Sequence, residues 1–297
     1  MNSLRQLALI GPTASGKTAL SIKTAEALDA YILSIDSLSI YKEINIVSAK
    51  PTLKERQGIE HFGIDYISPN EDFDVTTFIQ LYHDTYKKAL ADRKNLVIVG
   101  GTSFYLKMLM EGISELPKMS EETSIKSKEA LRDLSGTYTW LCRMDTDYMQ
   151  KIAANDLYRI EKALNIYFET GLTPTAYFRE FPPRPAMNPG LSLYQIEVDR
   201  KVLRERIARR TKMMLEEGLI DEICMLERKY TRTPRCMKAI GIKETLAYLD
   251  GIYDKTMLQE KITTNTARLA KRQTTFNHSQ FDTVIKGSVS ELEKLLL

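Results

Sequence analysis

A chain of 297 residues, 43% hydrophobic and 27% charged with a net charge of +3, has the composition of a globular protein and enough length for one large domain or two smaller ones. No stretch is long and apolar enough to span a bilayer, and residues 1–6 lack the layout of a secretory signal, so the expectation is a cytoplasmic enzyme with no membrane partner. Cys142, Cys224 and Cys236, and likewise His61, His83 and His278, are too scattered for a disulfide framework or a zinc site.

The chain opens with a short buried-strand run, Leu7 to Ile10, which feeds into Gly11-Pro12-Thr13-Ala14-Ser15-Gly16-Lys17-Thr18. This octet fits the phosphate-loop pattern G-x-x-x-x-G-K-[ST] at every defined position. Gly11 and Gly16 let the backbone turn tightly, so that successive amides and the start of the next helix, Thr18 to Leu28, face an anion. Lys17 adds a positive charge, and Thr18 offers a hydroxyl to a magnesium ion. The motif predicts a polyphosphate ligand, either a nucleotide or another diphosphate.

A second strand, Tyr31 to Ile35, ends directly in Asp36-Ser37. An aspartate there can hold a magnesium-bound water, act as a general base or cap the next helix. After a polar stretch, Phe78, Leu81, Tyr82, Thr85 and Ala89 mark one face of a helix over Thr76 to Leu90. A third strand, Leu96 to Val99, runs into Gly100-Gly101-Thr102. Nucleotide-hydrolysing proteins of this kind commonly place a magnesium-holding acid after a buried strand. Two glycines and a neutral hydroxyl suit contact with a phosphate oxygen better.

The alternation predicts an α/β fold with a P-loop NTPase-like parallel sheet flanked by helices, its first part spanning residues 1–116. Ligands of such sheets sit beyond the carboxyl ends of the strands, so the phosphate loop, Asp36-Ser37 and Gly100-Gly101-Thr102 become neighbours. From Pro117 to Gly190 the sequence is charged and helix-forming and closes on Phe181-Pro182-Pro183-Arg184-Pro185, which reads as a mainly helical insertion domain, a lid or arm, over residues 117–190. Leu191 to Val198 looks like a strand returning to the core. Helices to about residue 280 and a short strand near Thr283 to Ile285 complete a second core part, residues 191–297.

Basic residues crowd Arg200 to Lys243 and recur at Arg268, Lys271 and Arg272. In the helix starting near Lys201, Arg210 falls on the stripe of Leu203, Ile207 and Met214, whereas Arg204 and Arg209 point elsewhere. An arginine on a buried stripe must meet a carboxylate or a phosphate, or snorkel from the stripe's edge.

Six segments in order, GPTASGKT, SIDSLSIYKEINIVSAKP, VGGTSFYLKML, NDLYRIEKAL, MKAIGIKE and ARLAKRQTTF, resemble the motifs of the bacterial tRNA dimethylallyltransferases, also called tRNA isopentenyltransferases. The resemblance covers nearly the whole chain. It implies transfer of a dimethylallyl group from dimethylallyl diphosphate to N6 of adenosine 37, beside the anticodon, in tRNAs that read codons beginning with U. It implies that Gly11 to Thr18 hold the donor's diphosphate, with Mg2+ at Thr18. Asp36 resembles the family's base, Thr102 the residue near the bridging oxygen of the leaving diphosphate, and Arg210 the arginine that binds that diphosphate. The tRNA anticodon stem-loop is implied to meet Asp36, Ser37, Leu38 and Ser39, Thr102, then Tyr158, Arg159, Ile160, Glu161 and Lys162, and Lys238, Ala239, Ile240, Gly241, Ile242 and Lys243. A monomer is expected.

Overall fold

The computed structural model describes residues 4–187 and 190–297. Asn188 and Pro189, at the end of the expected insertion, and the first three residues of the segment read for a signal lie outside the described residues.

In chain order the elements are β1 (Gln6–Ile10), α1 (Lys17–Ala27), β2 (Ala30–Ser34), β3 (His61–Phe62), α2 (Val75–Ala91), β4 (Asn95–Gly100) and α3 (Ser103–Glu111). Five helices follow: α4 (Glu121–Ala130), α5 (Leu134–Met144), α6 (Thr146–Met149), α7 (Leu157–Thr170) and α8 (Pro174–Glu180). Then come β5 (Ser192–Ile196), α9 (Arg200–Glu216), α10 (Leu219–Tyr230), α11 (Ile242–Leu249), α12 (Lys255–Gln280), β6 (Ile285–Gly287) and α13 (Val289–Leu296).

The six strands form one parallel sheet in the order β3-β2-β4-β1-β5-β6. β1 lies at its centre, and all five of its residues are buried, as a strand covered on both faces requires. Leu7, Leu9, Ile32, Val97 and Ile196 pack with Leu20 and Ala25 of α1 and Leu292 and Leu296 of α13 in one apolar cluster. Helix α2 buries Phe78, Leu81, Tyr82, Thr85 and Ala89, the face read from their spacing, and Asp74 caps it by accepting from the Thr77 amide.

Register brings the loops together. Ile10 pairs with Gly100 and Ser34 with Val99, so the chain leaves β1, β2 and β4 at the same edge of the sheet. β3 is an addition to the expected strands. Two residues are too short to show a period, and they sit in the polar stretch between β2 and α2.

The chain divides into two compact units, residues 1–107 with 188–297, and residues 108–187. The second is helical and has its own core of Leu141, Met149, Ile152, Ile160, Ala163 and Leu164. It begins at Met108 instead of Pro117. The proline-rich return segment runs back against the last turn of α3 and the residues just after it: the Leu109 carbonyl accepts from the Ala186 and Met187 amides, and Ile113 bridges Arg184. The proline cluster is thus internal to this unit.

Candidate active site

A cavity of about 540 Å³ opens at the carboxyl edge of the sheet, lined by Thr13 and Ala14, by Asp36, Ser37 and Leu38, by Thr102, and by Arg210. Lys238, Ala239, Ile240, Gly241 and Lys243 complete it with residues of α12. A second cavity of about 630 Å³ touches the phosphate loop only at Pro12, and Asp36, Thr102 and Arg210 are not among its lining residues. The first therefore gathers the chemistry.

The phosphate loop is held in its turn by Gly16, whose φ of 99° an L side chain rarely adopts. The Thr13 amide donates to Gln273 Oε1 at 2.8 Å and the Ser15 amide to the Pro12 carbonyl at 3.3 Å, so these two do not face an anion. Gly16, Lys17 and Thr18 stand at the start of α1, where amides have no intrahelical acceptor. Ser15 is buried and its Oγ has no partner among the described residues. Lys17 Nζ donates to the Gly11 and Pro12 carbonyls at 2.8 and 2.7 Å, so the loop's cation rests on the loop itself.

Burial pushes the Lys17 ammonium down from 10.5 to about 8, with Asp36 opposing the drop and Arg210 adding to it. Between these values the folded, ligand-free protein holds fewer protons than the unfolded chain. The penalty of keeping Lys17 charged is thus full below pH 8 and relieved as pH rises toward 10.5. An anion in the loop reverses the shift. At pH 9 inorganic diphosphate is expected to bind with uptake of about one more proton than in Lys17→Met, read by calorimetry in two buffers of different ionisation heat. Equal uptake by the two proteins would remove Lys17 from the anion site.

Asp36 Oδ1 accepts from the Leu38 and Ser39 amides at 2.9 and 3.1 Å and so fixes the turn over residues 37–40; no helix begins there, so it caps a turn and not the next helix. Its carboxylate also lines the cavity, so one oxygen fixes the loop while the group faces the ligand space. Thr102 Oγ1 accepts from the Ser37 amide at 3.3 Å and ties the β4 loop to the β2 loop.

Arg210 sits on the stripe of Leu203, Ile207 and Met214, all buried, and its Nη1 donates to Thr13 Oγ1 at 3.3 Å. Among the described residues no carboxylate forms an ion pair with it, and burial pulls its pKa down, with Asp36 opposing. A half-buried guanidinium beside a neutral hydroxyl at the cavity wall is a candidate partner for an anionic ligand.

Four contributors were not singled out in the sequence. Gln273 joins the Thr13 amide to the Gly101 carbonyl, to which its Nε2 donates at 3.0 Å. Arg206 Nη1 reaches the Ser15 carbonyl at 3.4 Å. Glu244, buried, accepts from the Gly241 amide and from Asn265 Nδ2, both at 2.7 Å, and so fixes the segment from Lys238 to Lys243.

Within the segments expected to meet tRNA, some side chains are buried. Ile160 and Ile242 are both 0% exposed, because each is on the apolar face of its helix, and their side chains belong to the core. Ser39 is buried as well. In the helical unit Tyr158 is exposed with Lys162 Nζ 5.6 Å from its ring centroid, Arg159 pairs with Asp156 at 3.0 Å, and Glu161 is half-buried.

For a magnesium ion the chain offers the Thr18 hydroxyl, and no cluster of three His, Cys, Asp or Glu side chains occurs among the described residues. Such a donor set fits an ion that takes most of its ligands from phosphate oxygens and water.

The family described as IPP transferase matches residues 39–280. A tRNA dimethylallyltransferase of Sulfurovum sp. is 75% identical over 294 residues, covering 99% of this chain and 98% of the relative. This chain belongs to the tRNA dimethylallyltransferase family. A full-length tRNA isopentenylpyrophosphate transferase of Bacillus halodurans matches at TM-score 0.71 and 27% identity, with 99% of this chain and 96% of that chain covered. A eukaryotic dimethylallyltransferase described as acting on tRNA matches at TM-score 0.81 and 26% identity, over 92% of this chain and 70% of that chain. Both solved structures thus share the overall fold in which Asp36, Thr102 and Arg210 of this chain line one cavity.

Proposed function

We infer that this protein transfers the dimethylallyl group of dimethylallyl diphosphate to N6 of adenosine 37 in tRNAs reading UNN codons and releases diphosphate. The observation that carries this reading is the convergence of a phosphate loop, a half-buried arginine with no carboxylate partner among the described residues, and an aspartate on one cavity of about 540 Å³. A carboxylate at the same cavity as the phosphate cradle can take the proton that an attacking amine loses, which suits a transfer to an amine.

The adenine amine is a weak nucleophile because its lone pair is delocalised into the ring, so the reaction needs a carbon that ionises easily. An allylic carbon bonded to diphosphate is one. As the bond from the allylic carbon to the bridging oxygen lengthens, negative charge grows on the diphosphate, where the first-turn amides of α1, Lys17 and Arg210 stabilise it. The new bond from N6 to the allylic carbon makes the amine acidic, and its proton passes to Asp36, with Thr102 beside the bridging oxygen. Magnesium bound to Thr18 and the diphosphate oxygens would neutralise part of the leaving group's charge. The adenine must leave its stack to enter the cavity, which it does from the side opposite the donor. Lys238 and Lys243, with Arg268 and Arg272 of α12, supply cations for RNA phosphates at the cavity, and the exposed Tyr158 and Arg159 of the helical unit supply a further contact. The enzyme works as a cytoplasmic monomer.

The test is turnover with labelled donor. Label is expected to pass from dimethylallyl diphosphate to an anticodon stem-loop carrying adenosine 37, with little ATP hydrolysis. ATP-dependent phosphorylation without prenyl transfer would assign the site to a kinase. Equal rates on free AMP and on the stem-loop would assign it to a nucleotide prenyltransferase.

A further inference from the structure

The two halves of the cavity are built on chain segments far apart in sequence. The phosphate loop follows β1, and the acceptor side, Asp36 with Thr102, follows β2 and β4. Sheet register fixes where these loops begin. It does not fix the separation of their tips, which stand beyond the last strand pairs.

One side chain spans that gap. Gln273, on α12, accepts the Thr13 amide with Oε1 at 2.8 Å and donates from Nε2 to the Gly101 carbonyl at 3.0 Å. Each end of this bridge leads to a reacting group within one residue. Thr13 also accepts from Arg210 Nη1, at 3.3 Å. Gly101 precedes Thr102, whose hydroxyl accepts from the Ser37 amide at 3.3 Å, and Ser37 follows Asp36. A continuous set of contacts therefore runs from Arg210 through Thr13, Gln273, Gly101 and Thr102 to Asp36. Gln273 is the member that belongs neither to the three loops nor to α9. The site also fits the amide closely: a Cβ on Gly101 would overlap Gln273 Nε2, so Gly101 is the residue that lets the bridge form.

We propose that Gln273 is a positioning residue that sets the distance between the diphosphate cradle and the acceptor side of the cavity, so that the allylic carbon and the attacking amine stay in line. This rests on the prenyl-transfer reading above. An amide suits the task because it offers one acceptor and one donor in a fixed plane, matched here to one amide N–H and one carbonyl. A carboxylate would lose the donor and set a negative charge beside the diphosphate, and a shorter side chain would not span the gap. A misplacement of about 1 Å at such a joint can lower a rate on the order of a hundredfold without touching the reacting groups.

The experiment compares the wild-type protein with Gln273→Ala, Gln273→Met and Gly101→Ala, using labelled dimethylallyl diphosphate and an anticodon stem-loop. Three quantities are measured: the single-turnover rate at saturating substrates, KM for the donor, and the fraction of donor lost to water instead of transferred. The expected result for each variant is a transfer rate lowered by roughly ten- to a hundredfold, KM within about threefold of wild type, and a raised fraction of hydrolysis. Gly101→Ala displaces the amide without altering Gln273, so the double variant Gly101→Ala/Gln273→Ala is expected to be no slower than either single one. A lowered melting temperature with an unchanged ratio of hydrolysis to transfer would reduce Gln273 to a packing residue and overturn the proposal. So would additive effects in the double variant, or full transfer by Gln273→Ala. Failure of the wild-type protein to transfer label at all would instead overturn the reading of the site on which the proposal rests.

Discussion

Asp36→Asn is expected to lower the single-turnover rate of prenyl transfer by roughly a hundred- to ten-thousand-fold, the range for loss of a positioned general base, while donor and tRNA affinities change little. The structure makes this substitution more informative than Asp36→Ala. Asp36 has two tasks: Oδ1 accepts the Leu38 and Ser39 amides, and the carboxylate faces the cavity. Asparagine keeps an oxygen that can accept both amides and removes the ability to take a proton. Alanine removes both, and is expected to lower stability by about 1 kcal/mol in addition, the usual cost of losing a hydrogen-bond acceptor that fixes a turn. Stopped-flow or quench measurements with bound donor and stem-loop, beside a melting curve, separate the two. If Asp36→Asn turns over at the wild-type rate, the residue only shapes the loop and the proton leaves by another route.

The parallel sheet and the neighbourhood of its three loops were legible in the sequence because buried parallel strands are continuous apolar runs and because ligands of such sheets gather at one edge. Arg210 was legible for a different reason: a cation on an apolar stripe has to be explained. The same reasoning applies to residues that were passed over. Gln273 follows Ile262, Thr266 and Leu269 at steps of four, three and four, and all four line the cavity. Arg206 is one turn before Arg210 on the same face and reaches the phosphate loop. A polar residue on a stripe that faces a ligand is as telling as a charged one.

What the sequence did not disclose was chiefly orientation within a motif. Motif resemblance marks a segment as meeting RNA, whereas the helical period decides which of its side chains can. Ile160 lies with Ala163 and Leu164 on the buried side of α7, and Ile242 with Thr245 and Leu246 on that of α11, so only their neighbours are open to a partner. The start of the helical unit was hidden because it depends on a long-range pairing, Leu109 with Ala186 and Met187, that leaves no periodic trace. Lys17 is a third case. The motif gives it a charge but not the hydrogen bonds that it donates to the Gly11 and Pro12 carbonyls.

Arg210→Ala is expected to have the second largest effect, with an opposite sign in two measurements. The guanidinium is on a stripe of buried apolar residues, it donates to the neutral Thr13 hydroxyl, and burial lowers its pKa, all marks of a cation partly desolvated in the folded protein. Removing it relieves that cost in the free protein, so the melting temperature without ligand is expected to stay level or rise. With ligand the order reverses. Loss of a charged donor aimed at a growing anion costs roughly a hundred- to a thousandfold in the chemical step, or about 3–4 kcal/mol, and the stabilisation of the protein by added inorganic diphosphate shrinks as its Kd rises. Arg210→Lys keeps the charge but not the planar fork, and is expected to recover diphosphate binding more fully than the rate. Thermal melts with and without diphosphate, together with single-turnover rates, distinguish the alternatives. An Arg210→Ala protein that melts several degrees lower without ligand, yet binds diphosphate and transfers the prenyl group as the wild type does, would show that the arginine secures α9 and takes no part in the departure of the leaving group.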